Sequence, residues 1–291
     1  MKSDINTNTI DQKNDAKKVF RKKGTCSRTF FFLLNREFGT YKDNEEAAID
    51  PLAGGILKKG HQCGMLWGAA LGVGAEAYKR NDDPSEGMSL AIKASQNIVE
   101  SFKSETQTIN CYDITACDFS SKLSFAKYMI TGKFLDCFKL AEDWAPKAMD
   151  AARTGLQDEE DNNNDFRYTN CASLLARKMN ATEEQTVMVA GLAGGLGLSG
   201  GGCGALATAV WLNSIAWLEE NPGKLCYEND YAKETMNSFE EMMGKKILCK
   251  DICGCSFNSQ NEHSEYIQNE GCKELIETLA QTKPIQSKNI E

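Results

Sequence analysis

The chain has 291 residues and carries 33 Lys and Arg against 41 Asp and Glu, a net charge of −8. That balance excludes nucleic acid as the expected partner, because phosphate contacts need a basic surface. With 41% hydrophobic and 25% charged residues, the chain is a globular one with a real core, long enough for one large domain or two modest ones.

Residues 1–23 open with "MKSDINTNTIDQKNDAKK", which is polar and holds no apolar signal core; they are expected to form a disordered leader. The basic run "KKVFRKK" (17–23) is local and leads into a helix over "TCSRTFFFLL" (25–34). Without a secretory signal the expected compartment is the cytoplasm. There, twelve cysteines point to metal ligation or redox chemistry more than to structural disulfides.

Periodicity predicts helices almost throughout. A first unit spans 24–157. In it "EEAAIDPLAGG" reads as helix, "LAGGILKKGHQCG" (52–64) as a glycine-rich turn with a helix starting at Cys63, and "CYDITACDF" (111–119) as a short connection. "DCFKL" (136–140) opens its final helix. The acidic stretch "DEEDNNND" (158–165) reads as a linker, 166–282 as a second unit, and 283–291 as a tail. Thr182 and Gln185 have capping-box spacing, and Gly194 with Gly195 is expected to end the helix they open.

No Asp, Glu, Lys or Arg occurs from Gln185 to Leu218, which raises the question of a membrane span. Eight glycines between Gly191 and Gly204 divide that stretch into pieces too short to cross. Two buried helices joined by a turn are expected instead, and no membrane partner.

The second unit repeats the first. "LAGGILKKGHQCG" (52–64) matches "LAGGLGLSGGGCG" (192–204) without a gap, and "CYDITACDF" (111–119) matches "CKDICGCSF" (249–257). "TCSRTFFFLL" corresponds to "NCASLLARKM" (170–179), and "DCFKL" to "GCKEL" (271–275). Five cysteine positions therefore occur twice: Cys26/Cys171, Cys63/Cys203, Cys111/Cys249, Cys117/Cys255 and Cys137/Cys272. Cys226 and Cys253 have no counterpart. Cysteine packs well as a small hydrophobe, but packing alone rarely asks for the same thiol at five equivalent places. The predicted fold is all-α: two homologous cysteine-rich helical units forming an intramolecular pseudo-dimer.

An early Cys, a glycine-rich Cys-Gly motif and two later Cys resemble the redox-active protein family C_GCAxxG_C_C, here twice in tandem, over about 24–150 and 166–282. The signature commonly continues Cys-Gly-Ala-x-x-Gly. "CGMLWG" keeps Gly68 but has Met65 in place of Ala, and "CGALAT" keeps Ala205 but has Thr208 in place of Gly. The resemblance implies a redox role inferred from the cysteines, with no established substrate.

The glycines suggest how sulfur is presented. Where a helix ends, the chain reverses and a new helix starts at the cysteine, free N–H groups and the helix dipole would stabilise a thiolate. Cys63 and Cys203 are therefore the candidate activated sulfurs, with Cys26 and Cys171, each opening a helix, as catalytic partners. Bare positions at Gly60, Gly64, Gly200 and Gly204 would admit a substrate, a metal or a second sulfur. Lys58, Lys59 and His61 would add positive charge near Cys63 only. His263 reads as a loop residue, and Trp67, Trp144, Trp211 and Trp217 as core.

"GLGLSG" (195–200) fits a dinucleotide fingerprint, but "GILKKG" (55–60) loses its middle glycine and the preceding segment is not a strand, so no nicotinamide cofactor is expected. C-x-x-C-H is missing, so c-type haem is not expected either.

Two chemistries remain. One is thiol–disulfide exchange or electron transfer with a redox partner protein or a small thiol. The other, from a different class, is an iron–sulfur or zinc centre in a carrier without turnover of its own. Its ligands would come from Cys26, Cys63, Cys111, Cys117, Cys137, Cys171, Cys203, Cys249, Cys253, Cys255 and Cys272. A structural domain whose cysteines merely pack is the third reading.

Overall fold

The computed structural model describes residues 14–157 and 169–282. Among them are fifteen α-helices and no strand. The first half contains α1 (Ala16–Lys23), α2 (Cys26–Phe38), α3 (Asp43–Ala48), α4 (Gly64–Arg80), α5 (Pro84–Thr106), α6 (Cys111–Thr115), α7 (Lys122–Ile130) and α8 (Phe134–Gly155). The second contains α9 (Cys171–Lys178), α10 (Glu183–Met188), α11 (Gly204–Glu220), α12 (Asp230–Met243), α13 (Cys249–Cys253), α14 (Gln260–Gln268) and α15 (Lys273–Gln281). The duplicated all-helical architecture expected from sequence is present.

Local chemistry sets the boundaries. Thr25 and Asn170 cap the helices that begin at Cys26 and Cys171, their side chains accepting from the N–H groups of Arg28 and Ser173. Ser121 and Ser259 cap α7 and α14 in the same way. The capping box of Thr182 and Gln185 is formed in both directions. The chain then passes through a short 3-10 turn, Ala190–Leu192, before left-handed Gly194 and Gly195.

Two expectations are corrected. Residues 16–23, assigned to a disordered leader, form α1, which buries Val19 and Phe20 and sets Phe20 edge-on to Phe138 of α8 at 4.8 Å. The basic run is thus the outer face of a docked amphipathic helix. Cys111 and Cys249, placed in connections, instead open the short helices α6 and α13. Residues 1–13, the acidic linker and the tail lie outside the described residues.

Trp67, Trp144 and Trp211 are fully buried, with Phe30 and Phe102 each 4.6 Å from Trp144; Trp217 is only half-buried. The halves interlock through bare backbone. A Cβ on Gly74 of α4 would lie 2.3 Å from the Met188 carbonyl oxygen of α10, and one on Gly191 would lie 2.2 Å from Ser95 Oγ of α5. Trp211 of α11 donates its indole N–H to the carbonyl of Glu45 in α3 at 3.1 Å. No helix among the described residues is long and apolar enough to cross a membrane.

Candidate functional site

Each half positions its central cysteine by the same backbone device. After the 3-10 turn the chain runs through left-handed Gly54, Gly55 and Gly60, or Gly194, Gly195 and Gly200. The loop closes on itself: Gly60 and His61 donate to the carbonyls of Gly54 and Gly55, and Gly200 and Gly201 to those of Gly194 and Gly195, at 3.0–3.1 Å. A Cβ on Gly55 would sit 2.3 Å from His61 N, and one on Gly195 2.5 Å from Gly201 N, so glycine is required at both. The next cysteine, Cys63 or Cys203, becomes the N-cap of α4 or α11. Its N–H donates to Ile109 or Ile247 at 2.8 Å, while Cys111 or Cys249 donates back to His61 or Gly201 at 2.6 Å. This two-way tie brings the third cysteine to the second.

In the first half the thiol of Cys26 packs against the start of α4, next to Cys63 in the chain. Gly64 makes room for it, since a Cβ there would lie 2.6 Å from Cys26 Sγ. The expectation that Cys63 is the more acidic sulfur is reversed. The neighbouring Cys26 thiol together with burial raises Cys63 well above the ordinary thiol range. Cys26 is lowered, first by Cys63 and then by N–H groups of Gly54, Ser27 and Cys26 itself. Cys111, Cys117 and Cys137 lie nearby, and burial raises Cys137 to about 11.

In the second half, Cys171, Cys203, Cys249, Cys253 and Cys272 line one narrow cavity with Tyr266 and His263. Cys249 Sγ is 3.7 Å from Cys253 Sγ, which is 3.6 Å from Cys272 Sγ. Burial raises Cys203 to about 12 although N–H groups of Leu206 and Ala205 at the start of α11 pull the other way. The helix-terminus effect assigned to Cys203 is present, but desolvation exceeds it. Cys253 is also raised to about 12, chiefly by its contact with Cys249.

The repeat register misplaces one sulfur. Cys117 is buried, whereas its counterpart Cys255 is exposed and does not line the second cavity. Cys253 takes that place, at the position where the first half has Thr115, whose hydroxyl donates to the Cys111 carbonyl. Cys226 is buried outside both groups, its sulfur against Ser214 and Asn229. The proposed ligand-admitting glycines are filled by the protein's own atoms. Beyond Gly64, a Cβ on Gly60 would meet Tyr112, one on Gly200 Lys250, and one on Gly204 the Leu192 carbonyl. Lys58 and Lys59 pair with Glu228 and Glu240 of the other half. His263 is not in a loop: it lies in α14, edge-on to Phe257 at 4.8 Å, and burial lowers it to about 4.

Sequence reading missed Tyr128 and Tyr266. The Tyr128 hydroxyl lies 3.2 Å from Cys137 Sγ, and that of Tyr266 lies 3.9 Å from Cys272 Sγ. Phe119 and Phe257 hold the two rings, each 5.2 Å away. The signal was available: "CDFSSKLSFAKY" and "CSFNSQNEHSEY" keep Cys, Phe, Ser and Tyr in register.

Among the described residues, no group of three or more His, Cys, Asp or Glu side chains is arranged to hold a metal ion.

These features define an all-helical protein that twice gathers distant thiols around a cysteine set at a helix start. The chain belongs to the family described as "Putative redox-active protein (C_GCAxxG_C_C)", which matches residues 25–151 and 165–283 and so covers both halves. No curated protein and no solved structure matches it.

Proposed function

We propose that the chain is a thiol–disulfide redox protein of the cytoplasm whose reacting pair is Cys26 and Cys63. The observation that carries this reading is the seat of Cys26 Sγ against the start of α4, where a Cβ on Gly64, the residue after Cys63, would lie 2.6 Å from it. Cys26 is the half-buried, acidified member and acts as nucleophile; buried Cys63 resolves.

The Cys26 thiolate attacks one sulfur of a substrate disulfide. That bond breaks, its electron pair leaves on the second sulfur, and this thiolate takes the proton of Cys63. The Cys63 thiolate then attacks Cys26 Sγ and expels the first substrate sulfur, which is protonated from solvent. The substrate disulfide gains two electrons and becomes two thiols, while the chain is left with a Cys26–Cys63 disulfide. A reducing partner protein or small thiol would reset it.

Cys63→Ser should trap a mixed disulfide on Cys26, visible by mass spectrometry. Cys26→Ser should lower the reduction of bis(2-hydroxyethyl) disulfide by about a thousandfold or more, as removal of a nucleophile does. Full activity in Cys26→Ser overturns the assignment.

A thiolate metal or iron–sulfur carrier is the second reading, favoured by one observation: five sulfurs line the second cavity. Metal binding would deprotonate thiols that burial now keeps protonated. Metal content and visible absorption after anaerobic purification separate the two readings.

A further inference from the structure

The two glycine loops differ in what lies against them. In the second half, Gly197 packs on α5: a Cβ there would lie 2.7 Å from Gln96 N, so no side chain fits. The first-half loop has no such cover. Ile56, Leu57 and Lys58 are three successive left-handed residues, none of them glycine, a backbone that is sustained only where surrounding structure holds it.

The helix that should cover this loop is shortened. α5 is continuous from Pro84, whereas α12 begins only at Asp230 and is preceded by a loop. Buried Cys226 and Asn229 pin that loop: Asn229 Nδ2 donates to Ser214 Oγ at 3.0 Å and to the Cys226 carbonyl at 2.9 Å. Tyr227 and Glu228 project from it toward the first half, where Lys58 pairs with Glu228 and lies 5.1 Å from the centre of the Tyr227 ring.

A cleft of about 250 Å3, open to solvent, results between the halves, just under the size of enclosed small-molecule sites and able to take one end of a peptide. Its walls combine the ammonium groups of Lys58 and Lys59, the carboxylate of Glu228, the amide of Asn237 and the apolar stems of Leu57 and Met236. Tyr227 closes its inner end. The Tyr227 hydroxyl lies 3.4 Å from the point a Cβ on Gly54 would occupy. Ala53, the residue before Gly54, has its Cα 3.0 Å from the point a Cβ on Gly64 would occupy, itself 2.6 Å from Cys26 Sγ, so Tyr227 and this short stretch of backbone lie between the cleft and the reacting pair.

We propose that this cleft binds one end of a short zwitterionic peptide disulfide, whose sulfur reaches Cys26 when the Tyr227 side chain moves aside, an inference that rests on the thiol–disulfide reading above. Charges of both signs on short apolar stems match a ligand with amine and carboxylate ends. The lysine pairs lining the cleft are partly exposed and weak, so exchanging Glu228 or Glu240 for a ligand carboxylate costs little. Both halves are needed to form the site.

Calorimetry on the full chain carrying Cys26→Ser, with glutathione disulfide as probe, measures binding without covalent capture. Saturable binding is expected. Lys58→Ala with Lys59→Ala should weaken it at least about tenfold, the loss of one modest ionic contact or more. Asn237→Trp, an exposed position on α12, should block it by filling the cleft without touching the ion pairs. No saturable binding, or binding that none of these substitutions alters in a folded protein, overturns the proposal. The uncharged bis(2-hydroxyethyl) disulfide keeps the two claims apart. Its turnover by the unsubstituted chain survives a failed cleft and disappears with a failed thiol reading.

Discussion

The surroundings of the first cysteine differ sharply between the halves. Beside Cys26, Glu46 and Asp50 are buried as carboxyl groups: Lys23 pairs with Glu46 at 2.6 Å, Arg28 reaches Glu46 at 3.1 Å and Asp50 at 3.5 Å, and the Thr25 hydroxyl donates to Asp50 at 2.6 Å. Beside Cys171 the corresponding positions are Thr186 and Ala190, with Asn170 and Ser173 for Thr25 and Arg28. Asn170 Nδ2 donates to Ser173 Oγ at 3.0 Å, and Ser173 Oγ to the Thr186 carbonyl at 2.8 Å. One backbone thus carries a buried ionic network in the first copy and a neutral one in the second. The sulfurs differ as well: Cys26 sits against Gly64 beside Cys63 in the first copy, whereas Cys249, Cys253 and Cys272 form a run in the second. Duplication preserves how the chain reverses and leaves the chemistry at each reversal free to change.

The largest expected effect tests whether the reversals are equally constrained. A methyl on Gly204 would lie 1.9 Å from the Leu192 carbonyl oxygen, a clash with backbone that cannot swing aside. A methyl on Gly64 first meets Cys26 Sγ at 2.6 Å, a side-chain tip that can rotate, and comes no nearer to backbone than 3.0 Å, at the Ala53 Cα. Gly204→Ala should cost about 3 kcal/mol or more, and Gly64→Ala about 1 kcal/mol, by overpacking. Urea unfolding curves measure both. Gly64→Ala should also separate Cys26 from Cys63 and slow disulfide exchange. Equal stability losses in the two variants would show that the loops share one constraint after all.

Asp50 gives the next effect, confined to the first half. Burial raises its carboxyl to about 6 from an ordinary value of 3.8. Between these values the folded chain holds a proton that the unfolded chain has released, so stability falls as pH rises through the window. Asp50 is 4% exposed, and the difference corresponds to about 2–3 kcal/mol in order of magnitude. Asp50→Asn keeps an acceptor for Thr25 and removes the titration. Urea midpoints between pH 4 and 7 should therefore differ increasingly in favour of the variant as pH rises. A constant difference across that range breaks the assignment.

What the sequence revealed follows from the range of the forces involved. The helix starts at Cys63 and Cys203, the Thr182 capping box and the duplication depend on neighbouring residues or simple register, and all were legible. The direction of the Cys203 shift was not, because N–H donors at a helix start can be read locally whereas the burial that outweighs them comes from the whole fold. Lys58 and Lys59 look like neighbours of Cys63 in the chain, but their partners Glu228 and Glu240 lie in the other copy. Exposed Cys255 and lining Cys253 differ only in position around a short helix and the turn that ends it, a distinction register does not make.

The smallest expected effect concerns the tyrosines, where the copies are most alike. The Tyr128 hydroxyl is 3.2 Å from Cys137 Sγ, inside ordinary reach for sulfur, whereas Tyr266 stands 3.9 Å from Cys272 Sγ, at its limit. Burial raises both phenols, so each remains a neutral donor while a nearby thiol ionises. A hydroxyl bond to a thiolate contributes more than one to a thiol, about 1.5 kcal/mol or more when the acceptor is charged. Tyr128→Phe should therefore slow alkylation of Cys137 by iodoacetamide about tenfold at neutral pH and shift stability by under about 1 kcal/mol. Tyr266→Phe should slow alkylation of Cys272 by less. Site-resolved mass spectrometry measures both rates in one sample. A larger effect in the second half would mean that the Cys253–Cys272 contact, with no counterpart in the first half, makes Tyr266 the more important donor.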